Sequence, residues 1–589
     1  VYNPDAVQDA TLIKGGIPAE YAGRLSSILD VRLKDGDPDK ISGSGGLGTV
    51  SSRLALGGPI QKGSSTFFVS ARRSYADLFL KLSHNPVTRK SYAYFYDLNA
   101  KASFNMGNND KLEMSSYYGQ DVANFNGQFG FTYGNALGSL NWKHRFSPRF
   151  QVDGTTGVSN FTNSLGIPSG TNGFTYLTNI LNSQVKTDFN WAIDKSNQVK
   201  FGTSINRYDI EPGKVQPQGS TSFFNTLSTP LQRAYEYGLY AQHQLNISKA
   251  LSVQYGLHMS VFDYVAAARD SIFSYAGALG QTKTAFNGRL YAKGSSIKTY
   301  AALEPRISVR YLLNDESSIK ASYNRTAQYI HLISNTNAAS PFDIWASTSN
   351  NIQPEKADQV SIGYFQNLYK QAFETSVELY YKKLYNQIDY VNGAQTLLNK
   401  NLEGELLYGN ARSYGAEFYM KKNTGRLQGY LSYTLSKTER KIPGINDGNY
   451  YPAKYDRTHN LSTVATYEYS ARWSFSADFT YQTGVSTTFA NSRYIFQGIV
   501  IPYNTQNSRN NYRLPSYNRL DLAATLYGRK HEHSRYQSNW VFSIYNVYRR
   551  KNAYSIYFQT DKNNPNITQA ERLSIIGTAI PAVTWNVEF

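Results

Sequence analysis

The feature that most constrains the fold is a two-residue alternation of apolar and polar side chains that recurs along most of the chain. It is clear in the last ten residues. There, one side of an extended backbone carries Val583, Trp585, Val587 and Phe589, and the other carries Thr584, Asn586 and Glu588. A period of two predicts β-strands with one face in apolar surroundings and one face in polar surroundings.

The same alternation predicts a barrel that crosses a membrane. One strand has an apolar face and a polar face. The apolar face carries Tyr96, Leu98, Ala100, Ala102 and Phe104, and the polar face carries Asp97, Asn99, Lys101 and Ser103. Putting a lysine into the middle of a bilayer costs roughly 2–4 kcal/mol, so the charged side must face a lumen. Repeats of this kind predict about 22 strands between residues 41 and 589, an even number that suits an up-and-down antiparallel transmembrane β-barrel.

Composition excludes several classes of protein. The chain has 589 residues and no cysteine, so it has no disulfide framework, no thiolate metal site and no cysteine nucleophile. Mean hydropathy is -0.49, and no run approaches the roughly 18 apolar residues of a transmembrane helix. A barrel shows lipid only every second residue, so it agrees with a polar average and with 49 tyrosines, whose amphipathic rings suit a bilayer interface.

The chain is basic, but its charge pattern does not indicate a nucleic-acid partner. The net charge is +18. The lysines and arginines are scattered along alternating strands, whereas a basic tail groups about five or more of them in one run. We expect these cations in the barrel interior and at its rims, where they meet acidic side chains or lipid phosphates.

Turns between the alternating runs fall into two length classes. The short turns include residues 107–110, 147–149, 194–197 and 246–249, and the predicted long loops are residues 119–134, 160–176, 208–233, 269–298 and 439–455. Alternation of tight turns with long loops is typical of an up-and-down outer-membrane barrel and not of a sandwich.

No catalytic or metal-binding arrangement is evident. His531 and His533 flank Glu532 and would share one strand face, as metal ligands do. The basic residues Arg529, Lys530 and Arg535 beside them favour a solvated turn instead. The Gly-x-Ser-x-Gly motif of hydrolases does not occur. The sequence therefore predicts no catalytic residues, no metal site and no cofactor, and hence a protein that is not an enzyme.

Residues 12–31 join two short apolar strands through a glycine-rich bend. The bend contains Gly15-Gly16 and Tyr21-Ala22-Gly23-Arg24, and the turn Gly57-Gly58-Pro59 follows, with Arg72-Arg73-Ser74-Tyr75 after it. These elements resemble the C-terminal end of the plug domain and the first barrel hairpin of TonB-dependent outer-membrane receptors. A terminal phenylalanine is also typical of outer-membrane barrels.

Further similarities to that family run in order along the chain. They are Leu303-Glu304-Pro305-Arg306, the stretches 323–329 and 352–359, and Tyr455-Asp456-Arg457-Thr458-His459-Asn460-Leu461. The nearest subgroup is SusC/RagA-like, although the Arg-Gly-Ala-Asn-Gly-type run that usually ends those plugs is missing. The resemblance implies an all-β fold: residues 1–39 as the C-terminal remnant of an N-terminal plug domain, and residues 40–589 as the transmembrane barrel. It also implies the outer membrane of a Gram-negative bacterium.

The resemblance implies energy-coupled import of a scarce or bulky ligand. The implied partners are outer-membrane lipids, the TonB complex acting through an N-terminal segment outside this sequence, and either a SusD-like lipoprotein lid or a larger envelope complex. The alternative is a receptor-like barrel that serves as a structural subunit of an outer-membrane complex. A passive porin and a soluble lectin-like protein are the remaining classes.

Two groups of residues are candidates for the site. Aromatic residues of the predicted external loops would contact a ligand, namely Tyr133, Phe174, Tyr176, Phe223, Phe224, Tyr450 and Tyr451. Charged residues would join plug to barrel, with Arg72 or Arg73 meeting a plug carboxylate such as Glu20 or Asp30. Substrate identity is not encoded in any of these patterns.

Overall fold

The computed structural model describes residues 3–168, 170–333, 343–497, 499–505, 508–529, 536–561, 564, 567–574 and 577–589. Helix is limited to α1 (Pro86–Lys90) and the 3-10 turns Pro4–Ala6, Ala76–Leu82, Leu402–Glu405 and Asn446–Gly448 among these residues. The strands are β1 (Val7–Ile13), β2 (Ile28–Leu33), β3 (Ser42–Gly48), β4 (Ser51–Gln61), β5 (Ser65–Ser74), β6 (Tyr92–Met106), β7 (Asp110–Phe125), β8 (Phe129–Ser147), β9 (Phe150–Ile167), β10 (Phe174–Ala192), β11 (Asn197–Pro217), β12 (Leu227–Ser228), β13 (Gln232–Asn246), β14 (Leu251–Val265), β15 (Asp270–Ala276), β16 (Thr284–Tyr291), β17 (Ser296–Asn314), β18 (Ser317–Gln328), β19 (Ile330–Ile333), β20 (Ile344–Ser347), β21 (Glu355–Leu368), β22 (Phe373–Tyr390), β23 (Leu406–Lys422), β24 (Leu427–Lys441), β25 (Tyr451–Pro452), β26 (His459–Glu468), β27 (Trp473–Gln482), β28 (Ser486–Thr487), β29 (Ser492–Phe496), β30 (Ile499–Tyr503), β31 (Tyr512–Arg513), β32 (Tyr517–Tyr527), β33 (Gln537–Tyr545), β34 (Ser555–Thr560), β35 (Thr568–Leu573) and β36 (Ile580–Glu588).

The long strands form one closed antiparallel barrel. Its wall contains 22 strands in the described part of the chain: β3–β11, β13, β14, β17, β18, β21–β24, β26, β27, β32, β33 and β36. The ring closes where the last strand pairs with the first, with Trp585 opposite Leu47. The predicted all-β barrel and its strand number are therefore confirmed.

The wall has an apolar outer face, as the alternation predicted. On β22, the Nζ atom of Lys382 donates to the carbonyl of Leu25 inside the barrel, whereas Leu379 points outward and is 51% exposed. Outward apolar side chains that are about half exposed or more occur around the ring, including Leu98, Val185, Leu239, Leu303, Ile362 and Leu379. Such a band is stable only against hydrocarbon, because water would penalise a continuous apolar belt of this extent.

Short and long connections lie at opposite ends of the barrel. The short-turn end carries residues 107–109, 148–149, 193–196, 247–250, 315–316, 369–372, 423–426 and 469–472. The long-loop end carries 218–231, 266–295, 391–405, 442–458 and the described parts of 329–354, 483–516 and 546–579. Outward tryptophans near the short-turn end, where an aromatic girdle at a bilayer interface is expected, include Trp142, Trp191, Trp540 and Trp585.

The predicted loops 119–134 and 160–176 are wrong. β7 continues to Phe125 and β8 begins at Phe129, while β9 continues to Ile167 and β10 begins at Phe174. The predicted loops 208–233 and 439–455 begin too early, because β11 extends to Pro217 and β24 extends to Lys441. The predicted loop 269–298 agrees within three residues with the connection 266–295, which contains the β15–β16 hairpin. Strands of 18 to 21 residues in β8–β11 exceed the about 9–11 needed to cross a bilayer, so the wall continues beyond it.

No helix in the described residues is long and apolar enough to cross a membrane.

A charge in the apolar band should weaken the barrel. Leu379 lies opposite Ile362 and Ala416 on the outward face. We expect Leu379→Lys to lower the free energy of unfolding by roughly 2–4 kcal/mol, measured by urea unfolding in lipid vesicles with tryptophan fluorescence. The matched control is Asn410→Lys, which faces outward beyond the band and should change the free energy by less than about 0.5 kcal/mol. Equal losses in both variants would contradict a lipid-facing band at Leu379.

Candidate functional site

Residues 3–40, which we call the lumen segment, lie inside the barrel. The hairpin β1–β2 pairs only with itself among the described strands. Contacts of the lumen segment reach opposite sides of the ring: Asp5 pairs with Arg53 on β4 at 3.1 Å, Asp35 with Lys101 on β6 at 2.8 Å, and Lys14 with Glu417 on β23. One short segment can touch distant wall strands only from within the lumen.

Two glycines let the bend of the lumen segment approach the wall closely. Gly16 has a φ of 61°, and a Cβ there would lie 3.2 Å from the Oγ atom of Ser308. Gly23 has a φ of 79°, and a Cβ there would lie 3.0 Å from Oε1 of Glu236. Positive φ and close contact both favour glycine, so the Gly-rich bend predicted from sequence serves to dock the backbone on the wall.

A buried ion pair on β17 holds this bend. Glu304 is fully buried, and its carboxylate accepts from the Oγ atom of Ser260 at 2.9 Å and from Arg306 at 3.2 Å. The other end of the Arg306 guanidinium donates to the carbonyls of Pro18 and of Tyr21, the latter at 2.5 Å. Arg306 therefore couples a buried wall carboxylate to the backbone of the lumen segment. The sequence placed this pair only in a family-like stretch and did not identify its partner.

Further polar contacts fasten the same bend around the wall. Ala19 donates its backbone N–H to Gln242 at 2.7 Å, and its carbonyl accepts from His258 at 2.8 Å. The backbone of Leu25 donates to Gln328 at 3.3 Å and accepts from Lys382 at 2.8 Å. Side chains of the wall thus satisfy backbone groups that would otherwise be buried without partners.

The charged residues predicted to join plug and barrel have other partners in the structure. Glu20 pairs with Lys200 of β11 at 3.3 Å, and Asp30 lies 3.9 Å from Arg32 of its own strand. Arg72 pairs with Asp97 of the neighbouring strand β6 at 2.7 Å. Arg73 faces outward and lies over the ring of Tyr94 at 5.3 Å. The predicted pairing of Arg72 or Arg73 with Glu20 or Asp30 is therefore replaced by nearer partners, because adjacent strands bring Asp97 directly opposite Arg72.

The inner wall of β5–β9 lines an open cavity of about 390 Å³. Its lining includes Arg72, Phe95, Asp97, Tyr117, Asp121 and Tyr133. Tyr133, predicted as a loop residue, is instead on β8 and borders this cavity. The cavity combines aromatic rings with charged groups, a combination that binds polar organic molecules.

The other predicted aromatic residues divide into exposed and buried ones. The rings of Phe174 and Phe224 contact each other at 4.8 Å, with Phe223 and Phe224 exposed by 79% and 39%. Tyr176 is 1% exposed, and its hydroxyl donates to the carbonyl of Pro212 at 3.1 Å. Phe174, Phe223 and Phe224 therefore form an accessible aromatic group, whereas Tyr176 packs within the wall.

Tyr450 and Tyr451 also differ in their exposure to solvent. Tyr451 is 1% exposed and donates to Asp389 at 2.7 Å. Tyr450 is 44% exposed and lies 4.0 Å from the guanidinium of Arg412, on the outward face of the wall. Neither ring lines the open cavity of β5–β9.

Several loops at the long-loop end are fastened to one another. Asp389 accepts from Arg509 at 2.8 Å, and both are almost fully buried. Glu403 accepts from the Oγ atom of Ser349 at 2.6 Å and from Asn351. Burial raises the pKa of Glu403 above its ordinary value, against the effect of these two hydrogen bonds. The sequence did not reveal this network, because its members lie far apart in polar loops.

Among the described residues, no group of three or more histidine, aspartate and glutamate side chains is arranged to hold a metal ion. His531, Glu532 and His533, with the neighbours Lys530 and Arg535, lie outside the described residues.

The fold and the occupied lumen define a class of outer-membrane receptor barrels. The family model described as "TonB dependent receptor-like, beta-barrel" matches residues 62–560. The chain therefore belongs to the TonB-dependent receptor β-barrel family, and it is a barrel of the outer membrane of a Gram-negative bacterium. A comparison with curated proteins gives no significant match.

Solved structures agree on the fold. The chain is similar to the ferric-catecholate import receptor Fiu of E. coli K12 in its closed form (13% identity, 99% of this chain and 86% of that chain, TM-score 0.67). It is also similar to the FrpB iron transporter of Neisseria meningitidis (12%, 100% and 88%, 0.66) and to BauA, the ferric preacinetobactin receptor of Acinetobacter baumannii (11%, 100% and 86%, 0.67). These neighbours are receptors and transporters, not enzymes.

Removing the buried arginine should loosen the lumen segment. We expect Arg306→Met to leave Glu304 buried without its cation, weakening docking by roughly 3–5 kcal/mol. Trypsin should then cleave faster at Lys14 and Arg24 in the folded protein. The control is Arg310→Met, which removes an exposed arginine from the same face of β17. Unchanged cleavage in Arg306→Met would contradict an anchoring role.

The loop network should depend on one carboxylate. We expect Asp389→Asn to leave Arg509 buried without a counter-charge, lowering the local opening free energy by roughly 2–4 kcal/mol. Hydrogen exchange of amides in residues 391–405 and 442–458 should accelerate accordingly. Glu571→Gln, which neutralises an exposed loop carboxylate, is the control. Equal exchange in both variants would show that Asp389 does not fasten these loops.

Proposed function

We propose that the protein imports a ligand too scarce or too bulky to diffuse through the outer membrane, using work relayed by the TonB complex. The observation that carries this proposal is the lumen segment, fastened to opposite sides of the wall through Asp5, Lys14 and Asp35. A barrel of this strand number is wide enough to need a plug. A segment fastened across the lumen makes passive flux a poor explanation.

The fastening explains why outside work is required. Each hydrogen bond contributes about 0.5–1.5 kcal/mol net, and a buried charge left unpaired is penalised further. Opening a path means breaking several contacts of Ala19, Leu25 and Arg306 together. Thermal motion alone rarely breaks them all at once. A pulling force on the chain N-terminal to the lumen segment would instead act on these contacts one after another.

The domain assignment follows the same reasoning. Residues 1–39 act as the C-terminal end of a plug domain and residues 40–589 as the barrel. The boundary between the two domains falls between β2, which pairs with β1 in the lumen, and β3, which begins the wall at Ser42. The TonB complex would act through a segment N-terminal to residue 1.

The candidate ligand contacts are the accessible aromatic group and the cavity of β5–β9. Phe223 and Phe224 offer exposed rings near the long-loop end, with Phe174 packed against Phe224, and Tyr133 lines the cavity beneath this group. A ligand captured by the rings would next meet the cavity. The SusC/RagA-like subgroup, with its SusD-like lid, stays a prediction, as does the ligand itself.

A reversible lock between plug and wall tests the proposal. A Cβ on Gly16 would lie 3.5 Å from Cβ of Ser308, at the short end of the disulfide range, and the chain has no other cysteine. We expect Gly16→Cys with Ser308→Cys to stop uptake when oxidised. When reduced, it should restore uptake to the level of Gly16→Cys alone, which carries the same strain of a side chain at positive φ without the lock. Uptake is measured as the loss of individual compounds from a complete growth medium during incubation with cells that produce the protein. The measurement is made with and without a protonophore.

The controls separate the possible outcomes. Ser308→Cys alone should behave as the unmodified protein under both redox conditions. Depletion that persists when the lock is closed, or that survives the protonophore, would contradict energy-coupled import through this lumen. If cells that produce the protein deplete no specific compound from the medium, the result would favour the alternative that the barrel is a structural subunit.

A further inference from the structure

A row of charged side chains crosses five neighbouring strands on the outward face of the barrel. The residues stand directly opposite one another from β18 to β24, in the order Arg325, Asp358, Lys383, Arg412 and Glu439. Three more cations flank the row on the same face, namely Lys356, Lys437 and Lys441. We call the six cations of this set the outer basic patch.

Contacts of neighbouring residues fix the direction of these side chains. Gln359, Lys382 and Glu417 contact the lumen segment and therefore point inward. Side chains alternate along a strand, so residues an odd number of positions away point outward. This places Lys356, Lys383 and Arg412 on the membrane side of the wall.

The row lies at the outer edge of the apolar band. The next outward residues toward the short-turn end are Tyr323, Val360, Tyr381, Tyr414 and Lys437, followed by Ala321, Ile362, Leu379, Ala416 and Leu435. Lys383 is ten residues from the start of β22, and Arg412 is ten residues from the end of β23. A tilted strand crosses a bilayer in about 9–11 residues, so the patch reaches the lipid headgroups at the long-loop end.

The patch has an excess of positive charge. Arg325 pairs with Asp358 at 2.7 Å, and Arg412 and Lys437 share Glu439, each at 2.7 Å. In the described part of the chain, no carboxylate lies at ion-pair distance from Lys356, Lys383 or Lys441. Six cations therefore face two carboxylates, which leaves four positive charges for an anion.

Aromatic rings hold the cations in place. The ring of Tyr450 lies 4.0 Å from the guanidinium of Arg412 and 5.6 Å from Nζ of Lys441. Tyr385 lies 5.1 Å from Nζ of Lys383. Cation–π contacts reduce the freedom of long side chains and leave their donors available to a second partner.

Other outward cations at the long-loop end are differently arranged. Arg207 and Arg233, on β11 and β13, both pair with Asp209, at 2.8 and 2.5 Å. That site is balanced more closely by its own carboxylate and is smaller. It serves as an internal comparison for the outer basic patch.

We propose that the outer basic patch binds the phosphate groups of the phosphorylated glycolipid that forms the outer leaflet of the Gram-negative outer membrane. Arginine presents paired N–H donors that match phosphate oxygens, and lysine adds point charges. The depth of the patch places these donors at the level of headgroup phosphates, with the apolar band beneath for the acyl chains. This inference is independent of what the barrel imports.

The test compares two double variants of the intact purified protein. Lys383→Gln with Arg412→Gln removes two cations of the patch, and Arg207→Gln with Arg233→Gln removes two from the comparison site. The probes are a bis-phosphorylated acylated glucosamine disaccharide, its dephosphorylated form, and phosphatidylglycerol. Binding is titrated by native mass spectrometry, after heat-modifiable migration shows that each variant is folded.

We expect the patch variant to bind the bis-phosphorylated glycolipid roughly thirty-fold more weakly, and the comparison variant within about two-fold of the unmodified protein. Binding should weaken further as salt rises, because partly exposed charges are screened. The proposal is overturned by equal loss in both variants, by no loss in either, by equal binding of the dephosphorylated probe, or by preference for phosphatidylglycerol.

Discussion

The rest of the structure depends on the need to pair every backbone N–H and C=O group inside hydrocarbon. Lipid offers no partners, so strands can cross a bilayer only if they close into a ring with no free edge. Here the ring closes through β3 and β36, with Trp585 opposite Leu47. Once the backbone is satisfied in this way, each strand presents alternate side chains to lipid and to the lumen. The outward apolar band and the polar interior are two consequences of that one geometry.

The polar interior makes the occupied lumen possible. Charges that would be unfavourable in lipid, such as Glu304 and Arg306, are paired with each other and with the backbone of the lumen segment. The same alternation places Lys383 and Arg412 outside, one residue away from lumen-facing neighbours. Inward charge fastens the segment, and outward charge gathers where the strands leave the hydrocarbon. The position of a charge along and across a strand therefore decides which of the two roles it takes.

The sequence predicts the parts of this molecule that repeat. Alternation and tight turns were enough for an all-β barrel of about 22 strands, because each strand carries its own local signal. The loop bounds failed at residues 119–134 and 160–176, where glycine, asparagine and threonine resemble a loop but most of the backbone remains paired. Nothing local marks a strand that continues past the membrane.

Contacts between distant residues were beyond local reasoning. Asp389 and Arg509 meet across 120 positions, and Arg306 meets Pro18 across 288. The predicted partners of Arg72 and Glu20 failed for the same reason, since only strand register brings Asp97 opposite Arg72. The outer basic patch likewise appears only when five strands are aligned. Scattered cations in the sequence become a patch through register alone.

The most direct test of the central claim is a nitroxide scan of single cysteines at residues 376–385 of β22 in lipid vesicles. The chain has no native cysteine to interfere. Collision rates with oxygen, which concentrates in lipid, should be high at 377, 379 and 381 and low at the even positions that face the lumen. Collision rates with no period of two, or high oxygen rates at the even positions, would contradict a strand with lipid on one face and the lumen on the other.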